Sequence, residues 1–380
     1  MKAVALIDGE HYPPVVRDAL AALPYEWVGA ILVGGTEKLR ADGAGEYGVP
    51  LVDGFDGAEI VVDISDEPVL GPVERFRWVS RALAAGLSYV GADFRFDPPV
   101  YEAFPLPSLA VIGTGKRVGK TAVSSHVARL FARDRAVVVV AMGRGGPAEP
   151  EVIERPPTVA ELVELSRSGR HAASDHLELA ALAGVTTIGC RRAGGGLAGA
   201  VFTSNVPEGA RLAAALRPDL VVFDGSGAAI PPVEVTARIL VVGAGHDVGA
   251  YLNLYRRLVS DLVVSVGCDV AGATRVELRL AATEPLTGRV AVFTAGGSDA
   301  SHLDADVVHV SPHLANRARL QEELAGLEAD TYLVELKAAA IDVVAEHALA
   351  HGRRVVLATN EIVGLTDDAI LGLLPERVAA

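Results

Sequence analysis

Residues 113–121 read Gly113-Thr114-Gly115-Lys116-Arg117-Val118-Gly119-Lys120-Thr121 and join two segments with different patterns. Before them, Leu109–Ile112 is a short apolar run of the kind that forms a buried strand. After them, apolar residues mark one face of an amphipathic helix: Val123, Val127, Leu130 and Phe131. A strand followed by a glycine-rich turn, the sequence Gly-Lys-Thr and a helix is the architecture of a phosphate-binding P-loop. The match is imperfect, because Thr114 replaces the first glycine of the strict pattern.

This loop predicts a site for a nucleoside triphosphate. Glycines allow backbone N–H groups to converge on phosphate oxygens, and the helix N-terminus adds partial positive charge. Lys120 would reach the β- and γ-phosphates, and the Thr121 hydroxyl would hold Mg²⁺. The predicted nucleotide-binding residues are Gly113, Thr114, Gly115, Lys116, Arg117, Val118, Gly119, Lys120 and Thr121, with Asn360 after the strand-like run Val355–Ala358 as the adenine candidate. The alternatives are a glycine-rich turn that happens to contain a lysine and, for Asn360, a plain turn residue.

Length, composition and charge limit the possible classes of protein. A chain of 380 residues is long enough for two domains, because single cores rarely grow beyond roughly 250–300 residues. Two cysteines, Cys190 and Cys268, offer no disulfide framework, so we expect a reducing cytoplasm. There is no signal-peptide pattern, and no apolar stretch approaches the roughly 18 residues of a membrane span. The net charge of −14 argues against nucleic-acid binding and requires a local basic cluster for any anionic substrate.

Strand-like and helix-like patterns alternate along almost the whole chain. Continuous runs such as Ala136–Met142 predict strands buried on both faces, which is typical of a parallel sheet covered by helices. The densest proline cluster, residues 97–107, predicts a domain boundary. We therefore predict an α/β protein with two domains, a small N-terminal α/β domain (1–104) and a larger P-loop NTPase domain (105–380) with a mostly parallel sheet. A proline-rich loop within one domain is the alternative.

Charged residues follow two predicted strands, at the ends where ligands bind in such sheets. Leu220–Phe223 ends in Asp224, the Walker B pattern in which the carboxylate binds Mg²⁺ directly or through water. Another strand ends at Met142, and we expect Arg144 beside the P-loop strand, where it would clamp phosphate. Glu149, in the same loop, would contact Mg²⁺ or orient a reacting oxygen. A turn-forming aspartate and a solvated surface loop are the alternatives.

A surplus of positive charge surrounds the predicted loop. Arg191 and Arg192 follow the strand-like run Thr186–Gly189 and lead into three glycines, a pattern that suits an anion site. The predicted cations are Lys116, Arg117, Lys120, Arg144, Arg191 and Arg192. Their combined positive charge exceeds what binding of ATP alone requires, so we predict that a second polyanion binds beside the γ-phosphate. An exposed basic turn at 191–192 is the alternative.

Polar loops also follow the predicted strands of the N-terminal domain. Asp8, Glu10 and His11 follow the first strand, and the turn Gly34-Gly35-Thr36-Glu37-Lys38 follows the second. Acidic pairs in these loops suit a metal, and Gly34, Gly35, Thr36 and Lys38 suit a phosphate cradle. We predict Asp8, Glu10, His11 and Lys38 as substrate-binding residues. Helix caps and turns are the alternative.

Four segments together carry a family resemblance: Leu6–Val15, Gly34–Lys38, Gly113–Thr121 and Met142–Pro147. They resemble cyclic 2,3-diphosphoglycerate synthetase, and the likeness extends over essentially the whole chain. The P-loop is also similar to that of dethiobiotin synthetase, which has an acid where Gly115 stands here. The basic pair Lys116-Arg117 that follows fits a substrate carrying phosphates rather than an amine.

The resemblance implies closure of 2,3-diphosphoglycerate into a cyclic pyrophosphate with ATP and Mg²⁺, releasing ADP and phosphate. For this reaction we predict three groups of residues. The catalytic residues are Lys116, Lys120, Arg117, Arg144 and Glu149, and the Mg²⁺ ligands are Thr121, Asp224 and Glu149. The substrate-binding residues are Arg191 and Arg192, together with Asp8, Glu10, His11 and Lys38 of the N-terminal domain. We expect a cytoplasmic enzyme, and general frequencies favour a homodimer. The alternatives are another P-loop kinase or carboxylate-activating ligase, and a partitioning-type ATPase switch.

Overall fold

The structure is a computed structural model of the chain and describes residues 1–35, 37–38, 46–296 and 299–374. Thr36 of the predicted phosphate cradle lies outside the described residues. The chain forms two compact units. Unit 1 comprises Met1–Val100, Leu197–Gly199 and His246–Val259, and unit 2 comprises Tyr101–Gly196, Ala200–Gly245 and the described residues from Ser260 onward. Across the described ranges, no helix combines the length and the apolar character needed to cross a membrane.

Strands and helices alternate in both units. The strands are β1 (Lys2–Ile7), β2 (Glu26–Leu32), β3 (Ile60–Asp63), β4 (Ser88–Val90), β5 (Arg95–Phe96), β6 (Ser108–Gly113), β7 (Val137–Gly143), β8 (Glu151–Ile153), β9 (Thr186–Ala193), β10 (Thr203–Ser204), β11 (Leu220–Asp224), β12 (Ala237–Gly243), β13 (Leu262–Val266), β14 (Thr274–Ala282), β15 (Arg289–Phe293), β16 (Asp306–Ser311), β17 (Thr331–Glu335) and β18 (Arg354–Val363). The helices are α1 (Pro13–Ala22), α2 (Pro72–Ala84), α3 (Lys120–Phe131), α4 (Val159–Arg167), α5 (Asp175–Ala183), α6 (Val206–Ala215), α7 (Asn253–Leu258), α8 (Arg317–Leu324), α9 (Glu346–Ala350) and α10 (Asp367–Leu371). A π-helical segment, Ala340–Ala345, leads into α9.

Unit 1 contains a five-stranded sheet in the order β2-β1-β3-β4-β5. Its first four strands are parallel, and β5 is antiparallel to β4. Val16 and Leu20 of α1 pack onto Ala5 and Ile7 of β1 in one buried cluster. Because β2 and β3 lie on opposite sides of β1, the loops after β1 and β3 border a crevice at the carboxyl edge of the sheet.

The first part of the unit 2 sheet is a block of parallel strands in the order β9-β7-β11-β6-β12-β13-β14. Every residue of β6, β7 and β11 is buried, which confirms the predicted α/β class with a mostly parallel sheet. Short strands β8 and β10 pair antiparallel with β9. The expectation that Arg144 follows a strand next to β6 is wrong, because β11 lies between β7 and β6.

The second block contains the parallel strands β18-β17-β15-β16. Strand β14 links the blocks: residues 274–276 pair in parallel with β13, and residues 277–282 pair antiparallel with β18. Strand β14 therefore extends past the carboxyl edge of the first block. Since β18 runs antiparallel to it, the carboxyl edge of the second block turns back toward that of the first. The sequence patterns do not predict β14, β16 or this reversal.

Candidate functional site

A cleft of about 1110 Å³ lies in unit 2 between the facing carboxyl edges of the two blocks. One side is formed by Lys116–Ala122 of the P-loop and by Asp224–Gly227 after β11. The other side is formed by residues at the ends of β15 and β17 and by the paired stretch of β14 and β18. Ligands of open α/β sheets bind at carboxyl edges. This cleft, where two such edges meet, is therefore the candidate site.

The loop between β6 and α3 has the close backbone packing of a phosphate cradle. A Cβ atom at Gly113 would lie 2.9 Å from Cδ of Lys120 and 2.9 Å from Cγ2 of Val118. Gly119 has a φ of 95°, in the left-handed region that glycine adopts without strain. Arg117 is also left-handed, with a φ of 59°, and such strain at a non-glycine residue is typical of functional sites. The Val118 side chain is buried and anchors the loop in the core.

Lys120 and Asp224 face the same end of the cleft and influence each other's charge. Burial lowers the pKa of Lys120, and the carboxylates of Asp224 and Asp175 oppose this effect. Burial raises the pKa of Asp224 to about 7, although the Lys120 charge and a hydrogen bond from Ser124 lower it. Oγ of Ser124 donates this bond to Oδ1 of Asp224 over 2.5 Å. The last residue of β11 is therefore a buried carboxyl group held in a fixed orientation beside the P-loop lysine.

The residues beside the loop fit a Mg²⁺ ion that is shared with phosphate oxygens. Thr121 and Asp224 both line the cleft, and so does Asp175, the first residue of α5. Within the described ranges, no group of three or more His, Cys, Asp or Glu side chains is arranged to hold a metal ion alone. Mg²⁺ is usually held by one or two carboxylates together with substrate phosphates and water. The side-chain oxygens of Thr121, Asp224 and Asp175 could supply the protein ligands, and the open cleft leaves room for phosphate and water ligands.

Arginines add positive charge at the cleft and beside it. Arg144 lines the cleft despite the intervening strand β11. Arg192 is not among the lining residues; it is half-buried beside the cleft, and its Nη2 donates a 2.8 Å hydrogen bond to the Ser226 carbonyl oxygen. A Cβ atom at Gly227 would lie 3.6 Å from Nη2 of Arg192 and 3.8 Å from Cγ of Lys116, so both side chains approach this glycine. Burial, and next the charge of Arg144, lower the pKa of Arg192. The structure thus brings Arg192 and Lys116 to the Walker B turn, with Arg144 near enough for its charge to act on Arg192.

Three other predicted residues have different surroundings. Arg191 precedes Arg192 on β9, so the two side chains point to opposite faces of the sheet, and Arg191 is exposed. Glu149 is exposed in the loop between β7 and β8, and neither it nor Arg191 is among the residues that line the cleft, as is also the case for Arg192. Asn360 does line the cleft. It lies inside β18, opposite Leu280, rather than after the strand as predicted.

The predicted N-terminal residues cluster at the carboxyl edge of unit 1. Asp8 is buried at the end of β1, and its carboxylate accepts hydrogen bonds from the amides of Glu10, His11 and Asp66 at 2.9, 3.1 and 2.8 Å. Nδ1 of His11 lies 2.9 Å from Oδ1 of Asp8. Burial raises the pKa of Asp8, but these hydrogen bonds outweigh it, so the pKa is lowered overall. Lys38 pairs with Glu37. The Asp8 carboxylate thus holds the loops after β1 and β3 together.

Comparisons with known proteins identify the family. Three family models match the chain: the N-terminal domain of cyclic 2,3-diphosphoglycerate synthetase at residues 2–97, its P-loop domain at 108–284 and its C-terminal domain at 297–361. The cyclic 2,3-diphosphoglycerate synthetase of Rubrobacter xylanophilus is 47% identical over 98% of this chain and 97% of its own length. This chain belongs to the cyclic 2,3-diphosphoglycerate synthetase family.

Further members of the family show a similar match. The enzyme of Methanothermus fervidus is 38% identical over 97% of this chain and 96% of its own length. That of Pyrococcus horikoshii is 40% identical over 96% of this chain and 93% of its own length. Among solved structures, LpxK from Aquifex aeolicus in complex with ATP has a TM-score of 0.45 and 13% identity, and covers 73% of this chain and 91% of that chain.

The cleft combines parts of two family domains, and the sequence patterns do not indicate the residues that depend on this combination. Asp175 and Glu178 lie in the range of the P-loop domain, and Lys337 lies in that of the C-terminal domain. All three line the cleft. Ser174 followed by Asp175 is a recognisable helix start, but an acid in a first helical turn is also common at sites without ligands. Lys337 follows a strand, and in the sequence a ligand-binding lysine at that position cannot be distinguished from a lysine that is merely exposed to solvent.

Proposed function

We propose that this chain closes 2,3-diphosphoglycerate into its cyclic pyrophosphate and converts ATP to ADP and inorganic phosphate. Relatives named for this reaction are 38% and 47% identical over almost the whole chain. The observation that carries the proposal is the arrangement of cations in the cleft. Lys116, Arg117 and Lys120 lie in the loop itself, and Arg144 also lines the cleft. Arg192 lies beside the cleft, where it donates a hydrogen bond to Ser226 of the Walker B turn. Such a cleft suits two polyanions side by side, despite the net charge of −14.

The proposed reaction has two displacements at phosphorus. An oxygen of one substrate phosphate attacks the γ-phosphorus of ATP, so that a P–O–P bond forms while the bond to ADP breaks. An oxygen of the other substrate phosphate then attacks the first substrate phosphorus and expels the transferred group as inorganic phosphate. The second attack closes the ring. Both steps join anions, so charge neutralisation and positioning are what the chain has to supply.

The residues of the cleft divide between these tasks. Lys120 would bind the β- and γ-phosphates, while Lys116 and Arg117 would neutralise the transferred group. Arg144 and Arg192 would hold the substrate phosphates, because a guanidinium forms two parallel hydrogen bonds with such a group. Bound Mg²⁺ would neutralise charge on the phosphate oxygens. Thr121 and Asp224 would hold that ion, with Asp175 better placed than Glu149 to assist.

Several further features rest on sequence evidence. We propose that the protein is cytoplasmic, that it forms a homodimer, and that its domains divide between residues 104 and 105. The substrate-binding roles of Asp8, Glu10, His11, Lys38 and Arg191 stay predictions, as does the Mg²⁺ role of Glu149.

Phosphorus NMR tests the proposed reaction. With ATP, Mg²⁺ and 2,3-diphosphoglycerate, we expect the cyclic product, ADP and inorganic phosphate to appear in equal amounts. Lys120→Ala is the control and should abolish turnover, because no other cation reaches that position without movement of the backbone. Thermal unfolding should show that this variant still folds. ADP release that is independent of diphosphoglycerate, or a linear phosphorylated product, would contradict the proposal.

A further inference from the structure

Lys337 enters the cleft from the side opposite the P-loop. It follows the last residue of β17, Glu335, by two positions and lines the same cleft as Lys116 and Lys120. The reversal between β14 and β18 causes this placement, because it turns the carboxyl end of β17 toward that of β6. Lys337 is thus contributed by the second block, whereas Lys116 and Lys120 are contributed by the P-loop of the first block.

Two carboxylates hold the Lys337 ammonium in place. Nζ lies 3.6 Å from Oε1 of Glu178 and 3.8 Å from Oε1 of Glu335. Glu178 is buried, and the Lys337 side chain is 39% exposed. The contact with Glu178 is close to hydrogen-bond length, and the contact with Glu335 is longer, so these two carboxylates engage at most two of the three N–H donors of the ammonium. The Glu178 charge, and next that of Glu335, raise the pKa of Lys337 against its partial desolvation, which keeps the ammonium charged.

The backbone around Lys337 is also constrained. Ala338 has a φ of 49°, in the left-handed region that is costly for a residue with a Cβ atom. It lines the cleft as well. The amide of Lys337 donates to the Glu335 carbonyl oxygen at 2.8 Å, and the amide of Ala340 donates to that of Lys337 at 3.0 Å. Backbone strain that is kept in place by surrounding hydrogen bonds is typical of residues that present a functional group.

The composition of the chain gives an independent reason to single out Lys337. Only five of the 34 basic residues are lysines: Lys2, Lys38, Lys116, Lys120 and Lys337. Three of these five line this one cleft. The ammonium of lysine is a compact point charge, whereas arginine presents a planar fork. A chain that otherwise uses arginine thus places lysine where phosphate groups are proposed to bind.

We infer that Lys337 binds a phosphate group of the diphosphoglycerate substrate, with Glu178 and Glu335 as positioning residues. The inference rests on the proposed function for the identity of that substrate. Lys337 follows β17 of the second block, whereas the ATP phosphates would bind at the P-loop of the first block. We therefore assign Lys337 to the second polyanion, and its charge would offset the repulsion between the two ligands.

Calorimetric titration of Lys337→Met tests the inference. We expect the affinity for 2,3-diphosphoglycerate to fall about tenfold to a hundredfold, which is the range for loss of one charged hydrogen bond, with ATP affinity nearly unchanged. Lys337→Arg should recover part of the loss. Lys2→Met, which removes a lysine from an exposed strand end in unit 1, is the matched control and should bind both ligands normally.

A second variant separates substrate binding from a purely structural ion pair. The double variant Glu178→Gln/Lys337→Met leaves no uncompensated carboxylate at position 178. If Lys337 serves only to neutralise Glu178, the double variant regains wild-type affinity for diphosphoglycerate, and this overturns the inference. We expect the affinity to stay low. Glu178→Gln alone should raise KM for diphosphoglycerate less than Lys337→Met does and leave KM for ATP unchanged. A parallel rise in both KM values would show a general structural effect and contradict the positioning role.

The same titrations distinguish failure of the inference from failure of the proposed function. If the wild-type protein does not bind diphosphoglycerate, the proposed function fails. Inorganic pyrophosphate then serves as the probe of the anion site, and it should bind the wild-type protein more tightly than Lys337→Met. Equal binding of each phosphate ligand to both proteins overturns the inference whatever the substrate. Loss of ATP affinity alone would assign Lys337 to the nucleotide.

Discussion

At the scale of single residues, the arginine pair on β9 shows how strand geometry divides adjacent side chains. Successive residues of a strand point to opposite faces. Arg192 donates hydrogen bonds to the carbonyl oxygens of Gly194 and Ser226, at 2.7 and 2.8 Å, next to the Walker B turn. Arg191 is exposed. Two residues that look equivalent in sequence therefore have different surroundings: Arg192 contacts the Walker B turn beside the cleft, and Arg191 is exposed to solvent.

This difference predicts unequal effects of the two alanine substitutions. Arg192→Ala should weaken 2,3-diphosphoglycerate binding about tenfold to a hundredfold and leave ATP affinity nearly unchanged, because a charge-assisted contact to the substrate is lost. Arg191→Ala should have a smaller effect. Lysine at position 192 should recover only part of the loss, since it keeps the charge but lacks the fork. Calorimetric titration of both ligands decides the matter. Equal losses for ATP and diphosphoglycerate after Arg192→Ala would assign this arginine to the nucleotide.

The sequence predicted those site residues whose neighbours along the chain define their role. Lys120 and Thr121 stand inside a local pattern, and Asp224 ends an apolar strand, so their positions in the cleft could be predicted. Glu178 and Lys337 have no such local pattern. They meet only because β14 pairs with β18, and long-range pairing of this kind is not encoded in spacing.

At the scale of secondary-structure elements, the P-loop depends on how closely its glycines approach the neighbouring side chains. A Cβ atom at Gly113 would lie 2.9 Å from Cδ of Lys120. It would also lie 2.9 Å from Cγ2 of Val118, which is buried in the core. The loop could relieve the first contact by moving the Lys120 side chain and the second only by shifting the Val118 anchor. An added methyl group would therefore displace the Lys120 ammonium and also destabilise the loop.

We therefore predict that Gly113→Ala reduces turnover about tenfold to a hundredfold, the range expected when a catalytic group is displaced by about 1 Å. The melting temperature should fall modestly, because the buried Val118 side chain also has to shift. Gly326→Ala is the matched control, because a Cβ atom there meets no atom within 4 Å. Steady-state kinetics and thermal unfolding of both variants test this. Normal turnover in Gly113→Ala would show that Lys120 does not need the observed position.

Element prediction succeeded where strands are buried on both faces and failed where they are not. Strands β6, β7 and β11 are continuous apolar runs, and each was predicted within one residue at either end. Strand β14 has a mixed burial pattern, with exposed Arg275 and Glu277, and β16 alternates exposed and half-buried residues along most of its length. Polar and apolar residues in such strands resemble those of loops, so the second block was only partly predicted.

At the scale of the whole molecule, Cys190 offers a reporter of unit 2. Its side chain is fully buried on β9, where a Cβ atom at Gly209 of α6 would lie 2.3 Å from its Sγ. Burial raises the pKa of the Cys190 thiol to about 12, so the reactive thiolate is scarce at neutral pH. Burial and the raised pKa both protect the Cys190 thiol from reagents until unit 2 unfolds. Cys268 is only half-buried.

We predict that a thiol reagent modifies Cys190 only through unfolding of unit 2 and that ATP slows this reaction. Cys268→Ser leaves Cys190 as the single thiol to be followed. A ligand at about a hundred times its Kd stabilises the folded state by about 2.7 kcal/mol, so labelling should become about a hundredfold slower when unfolding and refolding are fast. Adding Lys120→Ala to the same protein should remove the protection by ATP, because the nucleotide loses its main contact. Rapid labelling in native buffer, or protection that persists in the Lys120→Ala protein, would contradict the link between the P-loop and the stability of the sheet.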